Sequence, residues 1–171
     1  MIDRMTRASQ LNIQVYEEVE HNPRLNMEAF SVVAFVSGLA ALGVLLSYLF
    51  RDIGSGIGIG IGTVILGVLQ WYLWSFITLL VGTKGFGGTA NFGEVSRTLA
   101  YASGPNALGV FAWVPVLGWV LTLVGSIWTA VTGVVAIRQA MDFDSGKAIA
   151  TVIISWVISL IPMMILRSIV M

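Results

Sequence analysis

The side chains in this sequence that could do polar chemistry are few and fall in short, separated groups. The run Gly82-Thr-Lys-Gly-Phe-Gly-Gly-Thr-Ala-Asn-Phe-Gly-Glu94 sets glycines beside a lysine, the composition a loop needs to hold a phosphate with backbone N–H groups. Its spacing argues against that use. Gly85, Gly87 and Ala90 match only the loosest dinucleotide pattern, the Walker spacing is absent, and a long apolar stretch rather than a strand precedes the run. A reverse turn accounts for it. Glu94 and Arg97 stand three residues apart, where a helix can pair them, and Asp142 and Asp144 flank Phe143 in a short polar loop. Surface pairing and solvated loop charges explain both groups without a catalytic site. His21 is the single histidine and the chain has no cysteine, which argues against metal sites, disulfides and thiol nucleophiles. The expectation is no catalytic residue, no cofactor and no metal.

The elements that carry these groups are membrane helices. Hydrophobic residues make up 57% of the 171 positions and charged residues 11%, and the mean hydropathy of +0.89 lies outside the range of a soluble domain. A net charge of zero gives no reason to expect a nucleic-acid partner. From Thr98 to Ile137 no side chain is charged, a length of two crossings at roughly 20 residues each. Trp113-Val-Pro-Val-Leu-Gly118 supplies the turn between them, because Pro115 lacks an N–H and Gly118 tolerates turn angles. Ala29–Phe50, Ile53–Thr83 and Ala148–Leu166 are also free of charge. The sequence therefore predicts an all-α, polytopic membrane bundle with spans at about 29–50, 57–82, 95–113, 117–138 and 148–167. No cleavable signal peptide is expected before the first span.

Basic residues orient such a bundle, since Lys and Arg are retained on the cytoplasmic side. With five spans, Arg4, Arg7, Arg24, Lys84, Arg97, Arg138 and Lys147 share one side and only Arg51 and Arg167 face the other. Fusing the third and fourth spans would worsen the split to six against three. The expectation is a cytoplasmic N-terminus and an external C-terminus. It requires Arg97 to lie in the first turn of the third span, where it can reach the headgroups.

Residues 1–28 differ from the rest. Met1, Met5, Ala8, Val15, Tyr16 and Val19 form one face at helical spacing, with Arg4, Arg7, Gln14, Glu17 and Glu18 largely opposite. Two readings stay open: a helix lying on the cytoplasmic leaflet, or one packed on the loops of its own bundle. Asn22-Pro23 marks the start of the first membrane helix. Small residues at Gly56, Gly58, Gly60 and Gly62, and again at Gly125, Thr129 and Gly133, are expected at close helix contacts. Pro105 should bend or break the third span and be buried in protein. Polar groups within the bilayer are limited to Gln70 and scattered hydroxyls, with no acid at mid-depth for ion coupling.

The order Gly82-Thr-Lys-x-Phe-Gly-Gly88, Arg97-Thr-Leu-Ala-Tyr-Ala-Ser-Gly-Pro105, Pro115-Val-Leu-Gly118, Trp128 and Ala136-Ile-Arg-Gln-Ala140 resembles the Ypt-interacting protein (Yip) domain family over nearly the whole chain. Tyr16-Glu-Glu-Val-Glu20 is similar to short prokaryotic members. The resemblance implies a five-span domain with a cytoplasmic N-terminus. In eukaryotes it implies vesicle traffic and contact with Rab-type GTPases, through a long hydrophilic N-terminal region that is not seen here. The functional expectation is a non-enzymatic accessory subunit, scaffold or membrane-organising factor in a prokaryotic plasma membrane. Its partners would be lipids, other membrane proteins or further copies of itself. Lys84, Glu94, Arg97, Arg138, Asp142, Asp144 and Lys147 would form its cytoplasmic interaction face. The alternatives are a small-solute transporter or pore and, behind it, a membrane enzyme acting on lipids.

Overall fold

The computed structural model describes residues 1–49 and 51–170, with side chains through Leu166. Arg167, which enters the charge count, therefore lies outside the described side chains, and Met171 lies outside the described residues. The elements are α1 (Ile2–Ser9), α2 (Ile13–Glu20), α3 (Asn26–Tyr48), α4 (Ile53–Leu80), α5 (Phe92–Ala102), α6 (Leu117–Ala140) and α7 (Ser145–Val170), with no strand among the described residues. The segments built on α3, α4, α6 and α7 are each long and apolar enough to cross a membrane.

Local chemistry sets where the helices begin. Asn22 accepts from the Arg24 N–H at 3.1 Å, and Pro23 opens a 3₁₀ turn, Pro23–Leu25, that runs into α3. Asp52 accepts from the Gly54 and Ser55 N–H groups at 3.1 and 3.3 Å, so α4 starts ahead of its glycines instead of after them. The Asp52 cap, worth about 1 kcal/mol, offsets roughly one helix-interior glycine. Packing does the remainder. A Cβ on Gly56 would stand 2.7 Å from Tyr48 Cβ, and one on Gly67 would stand 2.2 Å from Ser37 Oγ, so α3 and α4 approach too closely for larger residues. Gly60 and Gly62 are buried as well. Gly58 is not a packing residue: it is exposed, with no neighbouring atom within 4 Å of a Cβ built there.

The third transit is composite. α5 has 11 residues and leads into a 3₁₀ helix, Gly104–Phe111, of 8 residues. At their respective rises the two pieces span about 32 Å, close to the thickness of a hydrocarbon core. Side-chain contacts show that it runs alongside α3 in the same direction: Arg97 meets Asn26, Tyr101 meets Glu28 and Gly109 meets Ala40. α6 returns along it, with Gly118 against Phe111, Gly125 against the Pro105 carbonyl and Gly133 against Leu99. α7 then lies antiparallel to α4, through the pairs Gln70–Ser159 and Thr78–Ser155. The described residues thus traverse the bundle five times.

Pro105 is buried at the switch between α5 and the 3₁₀ helix. There the Asn106 N–H donates to the Ser103 carbonyl at 3.0 Å, which frees the Ala102 carbonyl from its α-helical partner. The Thr132 hydroxyl, reaching over from α6, donates to Ala102 O at 2.7 Å. A second helix thereby satisfies a carbonyl that lipid could not.

The turn into α6 differs from expectation in one respect. Its positive φ falls on Val116, at φ 63 and ψ −57, with the Leu117 N–H donating to Pro115 O at 2.7 Å; this is a γ-turn centred on a β-branched residue. Gly118 has a different task. A Cβ there would lie 2.4 Å from the Phe111 carbonyl oxygen, so it admits close approach of the two arms of the hairpin.

Of the two readings of the N-terminus, packing on the bundle is the one observed. α1 and α2 fold against α5 and α6, with Ala8, Val15, Tyr16 and Val19 fully buried. The chain reverses between the two helices at Leu11, with φ 63. The Tyr16 hydroxyl donates to Ala8 O at 3.0 Å and ties the two helices together. Trp128 Nε1 donates to Ser9 O at 2.8 Å, anchoring the reversal near the middle of α6.

Candidate functional site

Two places in this fold gather polar groups: the end of the bundle carrying α2 and the connections 81–91 and 141–144, here the charged end, and a cavity between the helices. At the charged end α4 widens into a π-helical turn, Val81–Gly85, and the chain folds back so that the Gly88 N–H donates to Gly82 O at 3.0 Å. The glycines of this loop seat side chains. A Cβ on Gly82 would meet Met141 Sδ at 2.1 Å and one on Gly88 would meet Phe143 Cζ at 2.8 Å, and both partners are buried. The loop therefore serves as the socket for connection 141–144, which brings together the stretches of chain bearing Lys84, Asp142, Asp144 and Lys147.

Glu94 and Arg97 do not pair. Glu94 closes a capping box with Asn91: its N–H donates to Asn91 Oδ1 at 3.1 Å and its carboxylate accepts from the Asn91 N–H at 2.8 Å. Arg97 is only 4% exposed. Its Nε donates to Val19 O at 2.8 Å, one Nη to Asn26 Oδ1 at 2.8 Å and the other to Glu20 O. The guanidinium thus caps the C-terminus of α2, where unsatisfied carbonyls and the helix dipole favour a cation. As a member of an exposed interaction face Arg97 is corrected: it is a structural clamp, buried because α2 folds over it. Its position in the second turn of α5 gave the sequence no sign of this.

The other charges divide into two sets. Arg4 pairs with Glu18 at 2.7 Å and Glu28 at 3.0 Å, Arg7 approaches Asp3 and Glu18 at 3.6 and 3.8 Å, and the Tyr101 hydroxyl donates to Glu28 at 2.8 Å. This network holds α1 to α2, α3 and α5. Arg24, Lys84, Arg138 and Lys147 are exposed and make no ion pair among the described residues. Lys147 leans over the Phe143 ring at 5.8 Å, and Asp144 Oδ1 accepts from the Lys147 N–H at 3.0 Å at the start of α7. Asp142 is exposed at φ 52. Nearby, burial raises the Glu20 carboxyl above its ordinary range, and a hydrogen bond to Glu17 O raises the His21 imidazole.

Further along, a cavity of about 420 Å³ opens among α3, α4, the 3₁₀ helix, α6 and α7. No charged residue lines it. On one wall Gln70 Nε2 donates to Ser159 Oγ at 3.0 Å, and deeper in the α4–α7 interface Trp74 Nε1 and the Thr78 hydroxyl donate to Ser155 Oγ at 3.2 and 2.9 Å. On the opposite wall stand Asn106, Ser126 and Thr129. Thr129, expected at a helix contact, is a cavity residue, 6% exposed, with a hydroxyl that has no hydrogen-bond partner. Asn106 escaped notice, although it is the only side-chain amide between Thr98 and Ile137 and follows Gly-Pro directly.

An all-α bundle in which four helices are long and apolar enough to cross a membrane defines a polytopic membrane protein. The Yip1 domain matches over residues 13–166, nearly the whole chain, and the protein belongs to that family. No curated protein and no solved structure is matched by the chain.

Proposed function

We propose that this Yip1-domain membrane protein performs no chemistry itself and acts as an accessory subunit, scaffold or membrane-organising factor, recognised through its charged end. The observation that carries the reading is the division of its cations. Arg4, Arg7 and Arg97 are engaged by groups of the fold itself, whereas Arg24, Lys84, Arg138 and Lys147 stand exposed at one end and, like Asp142 and Asp144 beside them, make no ion pair among the described residues. An acidic segment of another membrane protein, or anionic headgroups, would complete them. The positive-inside rule favours the cytoplasm for this end and the outside for the C-terminus, and the resemblance of Tyr16–Glu20 to short prokaryotic members favours the plasma membrane of a prokaryote. A reporter fused after Met171 tests the orientation, and cytoplasmic activity there refutes it.

Lys84→Glu with Arg138→Glu tests the recognition. The double variant should lose copurifying partners or anionic lipids while melting as the parent does, since exposed changes alter stability by within about 0.5 kcal/mol. Unchanged copurification refutes the role of this face. The small-residue faces offer little in reserve, because Gly56 and Gly60 are buried against α3, and Gly125 and Gly133 against Pro105 and Trp74.

A further inference from the structure

The intramembrane cavity combines three properties that together describe a ligand. Its walls are mainly apolar, with Leu66, Trp74, Leu99 and Met163 among them, and they bear no charge. A phospholipid headgroup or an ion would lose its hydration there without gaining a counter-charge. Its polar atoms, however, are not all satisfied. The Thr129 hydroxyl is buried without a partner, the Asn106 amide makes no hydrogen bond within the described chain, and Gln70 uses its amide nitrogen and leaves its carbonyl oxygen open. Neutral donors and acceptors left this way in a membrane interior call for a neutral guest that carries both. Finally, the rim residues Leu160 and Met164 are 40% and 70% exposed on the apolar outer surface of α7, opposite the exposed Thr122 of α6. The cavity is therefore entered from the side, out of the bilayer.

We infer that this cavity is a binding site for a neutral single-chain lipid of the monoacylglycerol class. Its hydroxyl and ester head hydrogen-bonds to Asn106, Thr129 and the open oxygen of Gln70, and its acyl chain leaves between α6 and α7. The volume falls within the 300–1,000 Å³ of small-molecule sites. A monoacylglycerol head offers two hydroxyl donors and an ester carbonyl acceptor, matching one amide, one hydroxyl and one amide oxygen. The site is separate from the charged end and independent of what docks there.

The test uses the full-length protein in nanodiscs and a monoacylglycerol carrying a photoactivatable diazirine in its chain. Crosslinks should map to residues 122–130 of α6 and 156–164 of α7. Excess unmodified monoacylglycerol should compete them away and an anionic phospholipid should not. Thr129→Val with Asn106→Leu should reduce the competable labelling about tenfold, equivalent to 1.4 kcal/mol, with an unchanged melting temperature. Because the chain has no cysteine, Ser126→Cys gives a second readout that leaves the head-binding groups intact. The thiol of that variant should react more slowly with a water-soluble maleimide when monoacylglycerol is added. Labelling spread over lipid-facing residues regardless of competitor, equal competition by phospholipid, unaltered labelling of the double variant, or a maleimide reaction indifferent to the lipid would each overturn the assignment; the last would identify a water-filled space instead.

Discussion

Replacing Arg97 by methionine should release the N-terminal hairpin without unfolding the membrane helices. The guanidinium is buried and donates to Val19 O, Glu20 O and Asn26 Oδ1, so the substitution deprives three acceptors of their partner at once. Each charge-assisted bond contributes about 1.5–3 kcal/mol. Removing the cation also relieves the cost of burying it, several kcal/mol, so the net loss is about 3 kcal/mol, well below the sum of the bonds. This loss falls on docking of α2, because both carbonyls belong to its last turn. The transits by α3, α4, α6 and α7 do not depend on it. A local opening easier by about 3 kcal/mol raises the opened population by roughly a hundredfold. Hydrogen exchange measured by mass spectrometry in nanodiscs should show that acceleration in residues 13–20 and little change in α4 or α7. Arg97→Lys, which keeps the charge but not the fork of donors, should fall between. If α2 in the methionine variant exchanges within threefold of the parent, the clamp is not what holds the hairpin, and its buried face of Val15, Tyr16 and Val19 suffices.

Three further outcomes are expected. Val116→Gly should stabilise the protein by about 1 kcal/mol in thermal unfolding, since the relief of a strained positive φ outweighs the added freedom of the unfolded chain, and a side chain 80% exposed gives up little burial. Thr132→Val should cost about 1–3 kcal/mol by the same measurement, because it keeps the shape but leaves the Ala102 carbonyl without a donor. Raising the pH should loosen α2. Glu20 has a folded pKa raised by burial, so its contribution is present below the ordinary carboxylate value and is lost as pH rises through the folded value; His21, also raised, acts in the same direction. Exchange in α2, corrected for the intrinsic rate, should therefore be faster at pH 7 than at pH 5, and Glu20→Gln should flatten most of the difference.

Much of this molecule is legible without coordinates, for a physical reason: a bilayer leaves little choice. Uncharged runs of the right length must become helices, since lipid offers no partner for an open backbone, and Asn22-Pro23 is a local signal that depends on adjacent residues alone. The motif order from Gly82 to Ala140 likewise pointed to the family that the chain belongs to. What lay beyond reach were the pairings between distant segments. Glu94 and Arg97 look like partners on a helical wheel, but Asn91 lies nearer to the carboxylate, and α2, about 80 positions away in sequence, offers the guanidinium two carbonyls. The amphipathic stripe of residues 1–19 fits a membrane surface as well as a protein groove, because both present an apolar wall; only the packing of α5 and α6 decides for the groove. Small residues show that something approaches closely without saying what. Gly56 meets a helix, Gly118 a carbonyl, Gly58 nothing, and Thr129, within the same kind of stripe, lines the cavity. Sequence spacing specifies which face of a helix a residue occupies, and the tertiary fold alone determines what stands across from it.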